Sequence, residues 1–160
     1  MDEAAARVIH RAEVRPEWLD YNGHLNEAYY LLVFSHATDL LLDLIGMGDA
    51  DRRRERVSVF TLEAHLRYLR EVRGGETVEV EVRVLDLDAK RAHLFCAMRR
   101  VGEVEEAATA EMLWLHVDTT TRRGAPFRPE VLARLEGLRA REVGRRRPEG
   151  AGRSVGLARR

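Results

Sequence analysis

The stretch DYNGHLNEAYY, Asp20–Tyr30, decides how the rest of the chain is read. It sets a carboxylate (Asp20), two amides (Asn22, Asn26), a glycine (Gly23) and an imidazole (His24) directly before the longest apolar run of the sequence. Asn22-Gly23 is a turn signal. Asn26 stands where an N-cap would, and Glu27 suits a first helical turn, where the dipole favours negative charge. From there to about Ile45 the spacing predicts a helix. Its apolar residues run from Tyr29 through Phe34, then Ala37, Leu40, Leu41, Leu42, Leu44 and Ile45. They cover more than one stripe, the pattern of a helix buried all round. Gly46 and Gly48 supply the stop.

Outward from this segment the chain is rich in strand signals. Residues 7–14 read as a short strand, which Pro16 ends. PEWLDYNGH reads as a loop, and DADRRRER, 49–56, as a charged loop. Val57 to about Arg70 alternates: Phe60, Leu62, Ala64, Leu66 and Tyr68 on one face, Val59, Thr61, Glu63, His65 and Arg67 on the other. After a Gly74-Gly75 turn, Val78, Val80, Val82 and Val84 face in while Thr77, Glu79, Glu81 and Arg83 face out. Residues 91–101 and 104–117 complete a meander. TTTRRGAPFRP reads as a loop, and Pro129 opens a closing helix to residue 140. The fold class is α+β: a long central helix wrapped by a curved antiparallel sheet. Such a sheet leaves edges and apolar surface exposed, which edge-to-edge dimerisation resolves.

The 160 residues suit one domain, spanning 1–140, followed by a basic tail, 141–160. The tail holds seven Arg against two Glu and no aromatic residue. It reads as a disordered, solvated segment, without the stacking groups of a nucleic-acid binder. Cys96 is the single cysteine, so no intrachain disulfide forms. It sits in a strand-like run as a small buried hydrophobe. The N-terminus lacks a secretory pattern and no apolar stretch has spanning length, so a soluble, cytoplasmic protein without membrane partner is expected. The histidines show no paired metal spacing, and no phosphate loop, nicotinamide fingerprint or G-x-S-x-G elbow occurs. No metal or cofactor is expected.

Strand, polar loop, long helix and four meandering strands resemble the layout of the hotdog fold. Asp20, Gly23, His24, Asn26 and Tyr30 match the D-x-x-GH-x-N-x-x-x-Y signature of hotdog acyl-CoA thioesterases of the 4-hydroxybenzoyl-CoA thioesterase type. The resemblance spans about residues 8–138 and takes in HLRYLREVRGGETVEVEVRVL and LHVDTTTRRGAPF. FTLEAHLRYLREV and LDLDAKRAHLF are similar to thioesterases of carnitine breakdown, which implies betainyl-CoA as substrate and glycine betaine and coenzyme A as products. Hydratases, dehydratases and non-catalytic acyl-CoA-binding proteins share the superfamily and stand as alternatives.

The resemblance implies roles residue by residue. Asp20 falls on the carboxylate that serves as nucleophile or general base; the alternative is a turn aspartate capping its own backbone. The helix start near Asn26 suits a developing oxyanion, with His24 and Asn26 orienting water or carbonyl. Each also has a local alternative: a backbone-satisfied His24 and a plain cap at Asn26. Gly23 forms the turn and admits the ligand. Glu63 is a second carboxylate, reaching the site across a dimer or paired with a cation such as Arg67. Arg122 and Arg123 match the loop that meets coenzyme A phosphates. A betaine head needs aromatic faces. Trp18, Tyr21, Tyr29, Tyr30 and Trp114 are available, Trp18 and Tyr21 foremost. The expected partners are an acyl-CoA substrate and a second copy of the chain in a homodimer, extending to a tetramer.

Overall fold

The structure is a computed structural model and describes residues 8–157. Arg7 of the first expected strand, the N-terminal stretch before it and residues 158–160 of the tail lie outside the described residues. The elements run β1 (Val8–Glu13), α1 (Glu27–Leu44), α2 (Asp49–Glu55), β2 (Val57–Tyr68), β3 (Thr77–Leu87), β4 (Arg91–Arg100), β5 (Glu106–Asp118), β6 (Arg123–Gly124) and α3 (Pro129–Ala140). The strands form one antiparallel sheet in the order β1-β3-β4-β5-β2, with β6 paired to β5. The pairings β1–β3, β2–β5, β3–β4 and β4–β5 each carry a register shift. Such irregularities bend and twist strands, and the sheet curls so that one face packs on α1.

The core lies between that face and the helices. Val78, Val80, Val84, Leu94, Cys96, Met98, Ala108, Ala110, Met112 and Trp114 form its sheet side, and Val131 and Leu135 of α3 close it. Cys96 is fully buried, and burial pushes its thiol up to about 12, so it packs as a hydrophobe. α1 buries Tyr30, Val33, Phe34, Ala37, Thr38, Leu41 and Leu42, one face at helical spacing. The opposite face does not follow the all-round expectation. Leu31, Leu32, Leu40 and Leu44 are exposed, because a single sheet face covers only one side of a helix.

Three further expectations are corrected. DADRRRE is a helix, α2, not a loop. Asp49 and Asp51 lie in its first turn, Arg52 to Arg54 in its last, and the pairs Asp49–Arg53 and Asp51–Arg54 lie one turn apart. That order complements the helix dipole and stabilises a helix that buries none of its residues. In β2 the alternation breaks at Leu62. Thr61 pairs Trp114 and Glu63 pairs Leu113, so Leu62 is the extra residue and the side chains change face there. Val57 and Val59 pack toward the core before it, Leu66 after it, and Phe60 is turned out. Finally, residues 141–157 do not hang free. Arg83 pairs with Glu142, and Arg145 bridges Glu142 at 2.8 Å and Glu81 at 3.0 Å. Gly152 donates to the Glu111 carboxylate at 2.8 Å. The segment lies against the outer sheet face, where Phe95 and Ala97 are buried. Arg145 and Glu142 thus tie the segment to charged partners on β3, which composition alone does not disclose.

Candidate active site

The opening stretch folds into a miniature hairpin. Asp20 N–H donates to His24 C=O at 2.8 Å, Asn26 N–H to Trp18 C=O at 2.9 Å, and Leu19 bridges Leu25. Gly23 closes the tip at φ +75°, a left-handed conformation that strains other residues. The hairpin is then stitched to the segment after β2. Leu25 N–H donates to Val72 C=O at 2.7 Å, and His24 bridges Arg73. A Cβ on Gly74 would stand 2.7 Å from Leu19 Cδ1, so a side chain here would push the Leu19 side chain aside. Asn26 caps α1: its side chain accepts from Ala28 N–H at 3.0 Å. The Ala28 and Tyr29 N–H groups are thereby taken by Asn26. The Glu27 N–H, another free donor of a first helical turn, has no partner among the described residues.

An open cleft of about 680 Å³ lies between this hairpin, the start of α1 and the end of β2. Asp20, Tyr21, His24 and Asn26 of the hairpin, Glu27 and Tyr30 of α1, and Tyr68, Arg70 and Glu71 at the end of β2 line it. The Asp20 carboxylate accepts from Asn22 N–H at 2.8 Å and His24 N–H at 3.2 Å, both on Oδ1. It caps its own turn, as the local alternative expected, while Oδ2 is left outside those bonds. His24 Nε2 lies 3.3 Å from Glu71 Oε2. Tyr30 and Tyr68 meet edge to face, 5.2 Å between centroids. Their hydroxyls donate to backbone: Tyr30 to Arg70 C=O at 3.4 Å, Tyr68 to Glu27 C=O at 3.3 Å. Burial raises both phenols above their usual range, so they stay neutral.

The fold brings Asp20, Tyr21, Gly23, His24 and Asn26 together but leaves other candidates elsewhere. Trp18 is buried, stacked on Tyr29 at 5.8 Å and covered by Arg15 at 5.2 Å, so both aromatics hold the hairpin on α1. Trp114 is a core residue under α1. The bulge at Leu62 places Glu63 beside Leu113 on the outer face, with His65 and Glu111, away from the Asp20 cleft of its own chain. Glu63 forms no ion pair among the described residues, and Arg67 donates instead to Glu149 C=O at 3.4 Å.

Arg122 and Arg123 stand on the β5–β6 hairpin, beside the Val57 end of β2. Asp118 shapes this loop: Oδ1 accepts from Thr120 and Thr121 N–H at 2.8 Å each, which holds its carboxyl below the usual range. Arg122 takes a left-handed φ of +57°. Both arginines are exposed and unpaired among the described residues. The twelve residues of β2 separate this loop from the cleft, roughly 35 Å at strand rise.

Sequence reasoning missed Tyr68, Arg70 and Glu71 as cleft residues. HLRYLREV offered a usable signal, since polar and aromatic residues crowd the end of an otherwise alternating strand. Only the fold sets that strand end against a loop more than forty residues away.

Residues 14–135 match the thioesterase-like superfamily. The chain belongs to this family. It is similar to the betainyl-CoA thioesterase of Pseudomonas aeruginosa, 47% identical over 144 residues that cover 90% of this chain and 91% of the relative. A Pseudomonas putida structure, solved as that of a candidate thioesterase, has a TM-score of 0.83 at 41% identity and covers 95% of this chain and 97% of its own. A Staphylococcus aureus protein solved in complex with CoA has a TM-score of 0.88 at 26% identity, covering 94% of this chain and 96% of its own. The fold is thus the hotdog arrangement expected from DYNGHLNEAYY, and the activity class is thioester hydrolysis.

Proposed function

We propose that this thioesterase hydrolyses betainyl-CoA to glycine betaine and coenzyme A, with Asp20 as the reacting carboxylate. The observation that carries the reading is the Asp20–Glu27 cleft at a helix N-terminus, in a chain 47% identical to a betainyl-CoA thioesterase. Asp20 attacks the thioester carbon or draws a proton from an attacking water. Charge building on the carbonyl oxygen is met by the Glu27 N–H and the positive end of α1. The carbon–sulfur bond breaks, coenzyme A leaves as the thiolate and takes a proton, and water supplies the oxygen of the new carboxylate.

The reading includes a homodimer. β2 is an edge strand whose Phe60 and Leu62 are exposed, unguarded by any neighbouring strand. Antiparallel pairing of two β2 strands about Leu62 sets the Val57 end of one copy beside the Tyr68 end of the other. The Arg122–Arg123 loop of the second copy then approaches the Asp20 cleft, where phosphates of the coenzyme need cations. Glu63 comes to lie near the two-fold axis. The exposed leucines of α1 are available for a further pairing into a tetramer. A reducing cytoplasm suits the chain, whose one cysteine is a buried thiol.

Thiol release from betainyl-CoA by the purified chain tests the activity, and no turnover by folded protein sinks it. Asp20→Asn keeps the turn acceptor and removes the charge, so kcat falls by about 10²-fold or more. A near-wild-type rate instead leaves Asp20 the turn cap that its two N–H bonds also describe.

A further inference from the structure

The cleft contains more acid and more aromatic surface than thioester cleavage requires. Asp20, Glu27 and Glu71 put three carboxylates on its wall. Arg70 reaches from the cleft toward Glu105 at 3.7 Å, and His24 Nε2 lies against the Glu71 carboxylate. Tyr21, 97% exposed, and Tyr68, 51% exposed, leave ring surface open to the cleft. Tyr68 is held in place from two sides, by Tyr30 against its ring and by the Glu27 carbonyl on its hydroxyl. Apart from His24, the aromatic lining among the described residues is tyrosine alone, and Trp18 and Trp114 are consumed by packing.

We infer that this wall is the acyl-head subsite, and that Tyr68 and Glu71 select a quaternary ammonium over a neutral group of the same shape. The inference rests on the thioesterase reading and specifies how its substrate is chosen. A trimethylammonium group has no N–H to donate, so hydrogen-bond acceptors alone cannot recognise it. It is too large and too weakly hydrated to prefer water as strongly as a lysine does. Aromatic faces attract it through the ring quadrupole, and diffuse negative charge nearby adds a field without requiring contact. Neutral tyrosines beside Glu27 and Glu71 supply both. The single methylene of a betainyl group keeps its cation close to the thioester carbonyl, which matches a wall sharing one cleft with Asp20.

The test compares betainyl-CoA with 3,3-dimethylbutanoyl-CoA, in which carbon replaces the charged nitrogen and the shape is kept. Wild-type protein should favour the cation in kcat/KM by tenfold or more. Tyr68→Leu and Glu71→Gln should each lower that ratio about five- to tenfold. Tyr68→Phe, which retains the ring face, should preserve it and shows that the effect is not loss of fold. Efficient turnover of both esters without preference overturns the inference and leaves the thioesterase reading standing. So does an unchanged ratio in both Tyr68→Leu and Glu71→Gln. Turnover of neither ester overturns the thioesterase reading, and the inference with it.

Discussion

The two ends of β2 carry opposite chemistries. At the Tyr68 end, Asp20, Glu27 and Glu71 line a cleft with three tyrosines. At the Val57 end, the β5–β6 hairpin presents Arg122 and Arg123 without carboxylate partners among the described residues. An acyl-CoA with a cationic head carries the same polarity: a cation at one end, phosphates at the other. One chain separates its two halves by roughly 35 Å of strand, farther than a single binding site needs. On the proposed reading, a complete site calls for two copies, with the acidic end of one facing the basic end of the other.

The sharpest way to break that comparison is at the join. Leu62→Glu puts a carboxylate beside Glu63 at the centre of the proposed pairing, so two copies oppose four. The mass measured by light scattering should halve, and kcat/KM should fall by about 10²-fold, the scale of misplaced binding groups. A fully active monomer would show that each chain owns a complete site. A smaller effect is expected at the basic end. Arg122→Ala with Arg123→Ala should raise KM for a CoA ester about tenfold while kcat changes little, since phosphate contacts far from the carbonyl act on ground and transition states alike. If kcat falls instead and KM holds, the loop serves the acyl end.

The smallest effect concerns what holds the basic end in shape. His116 is buried beneath the β5–β6 hairpin, its Nδ1 donating to Ala125 C=O at 2.7 Å and its ring against Phe127. Burial lowers its pKa below the ordinary 6.5, and the same cause lowers that of His10. The folded chain therefore binds these protons less readily than the unfolded chain. Stability is full above the unfolded value near 6.5 and is lost as pH falls through the lower folded values. Melting should occur at lower temperature at pH 5 than at pH 7.5. His116→Phe should flatten that dependence while costing about 1 kcal/mol for the lost hydrogen bond. An unchanged pH slope in the variant would assign the effect to other groups.

Much of this was legible because it depends on neighbours in sequence. Asn26 as cap, the stop of α1 just before Gly46, the Gly23 turn and the alternating valines of β3 all follow from local rules of backbone and period. α2 was readable in principle from its acid-first, base-last order, but the absence of an apolar period concealed it. The bulge at Leu62 was not legible, since one extra residue keeps composition and only reverses facing. That reversal turned Glu63 to the outer face of the sheet. Trp18 and Tyr21 look alike as loop aromatics, yet one is stacked into the core and the other is nearly fully exposed.

By itself the sequence determined a capped helix start with a carboxylate-bearing turn before it, because capping and turn chemistry act within a few residues. Only the tertiary structure decided which groups face that site. Tyr68 and Glu71 reach it through the stitching of residues 72–73 to the hairpin, and Arg122 and Arg123 are kept from it by the length of β2. Distance along a chain does not encode distance across a sheet; pairing register and bulges do.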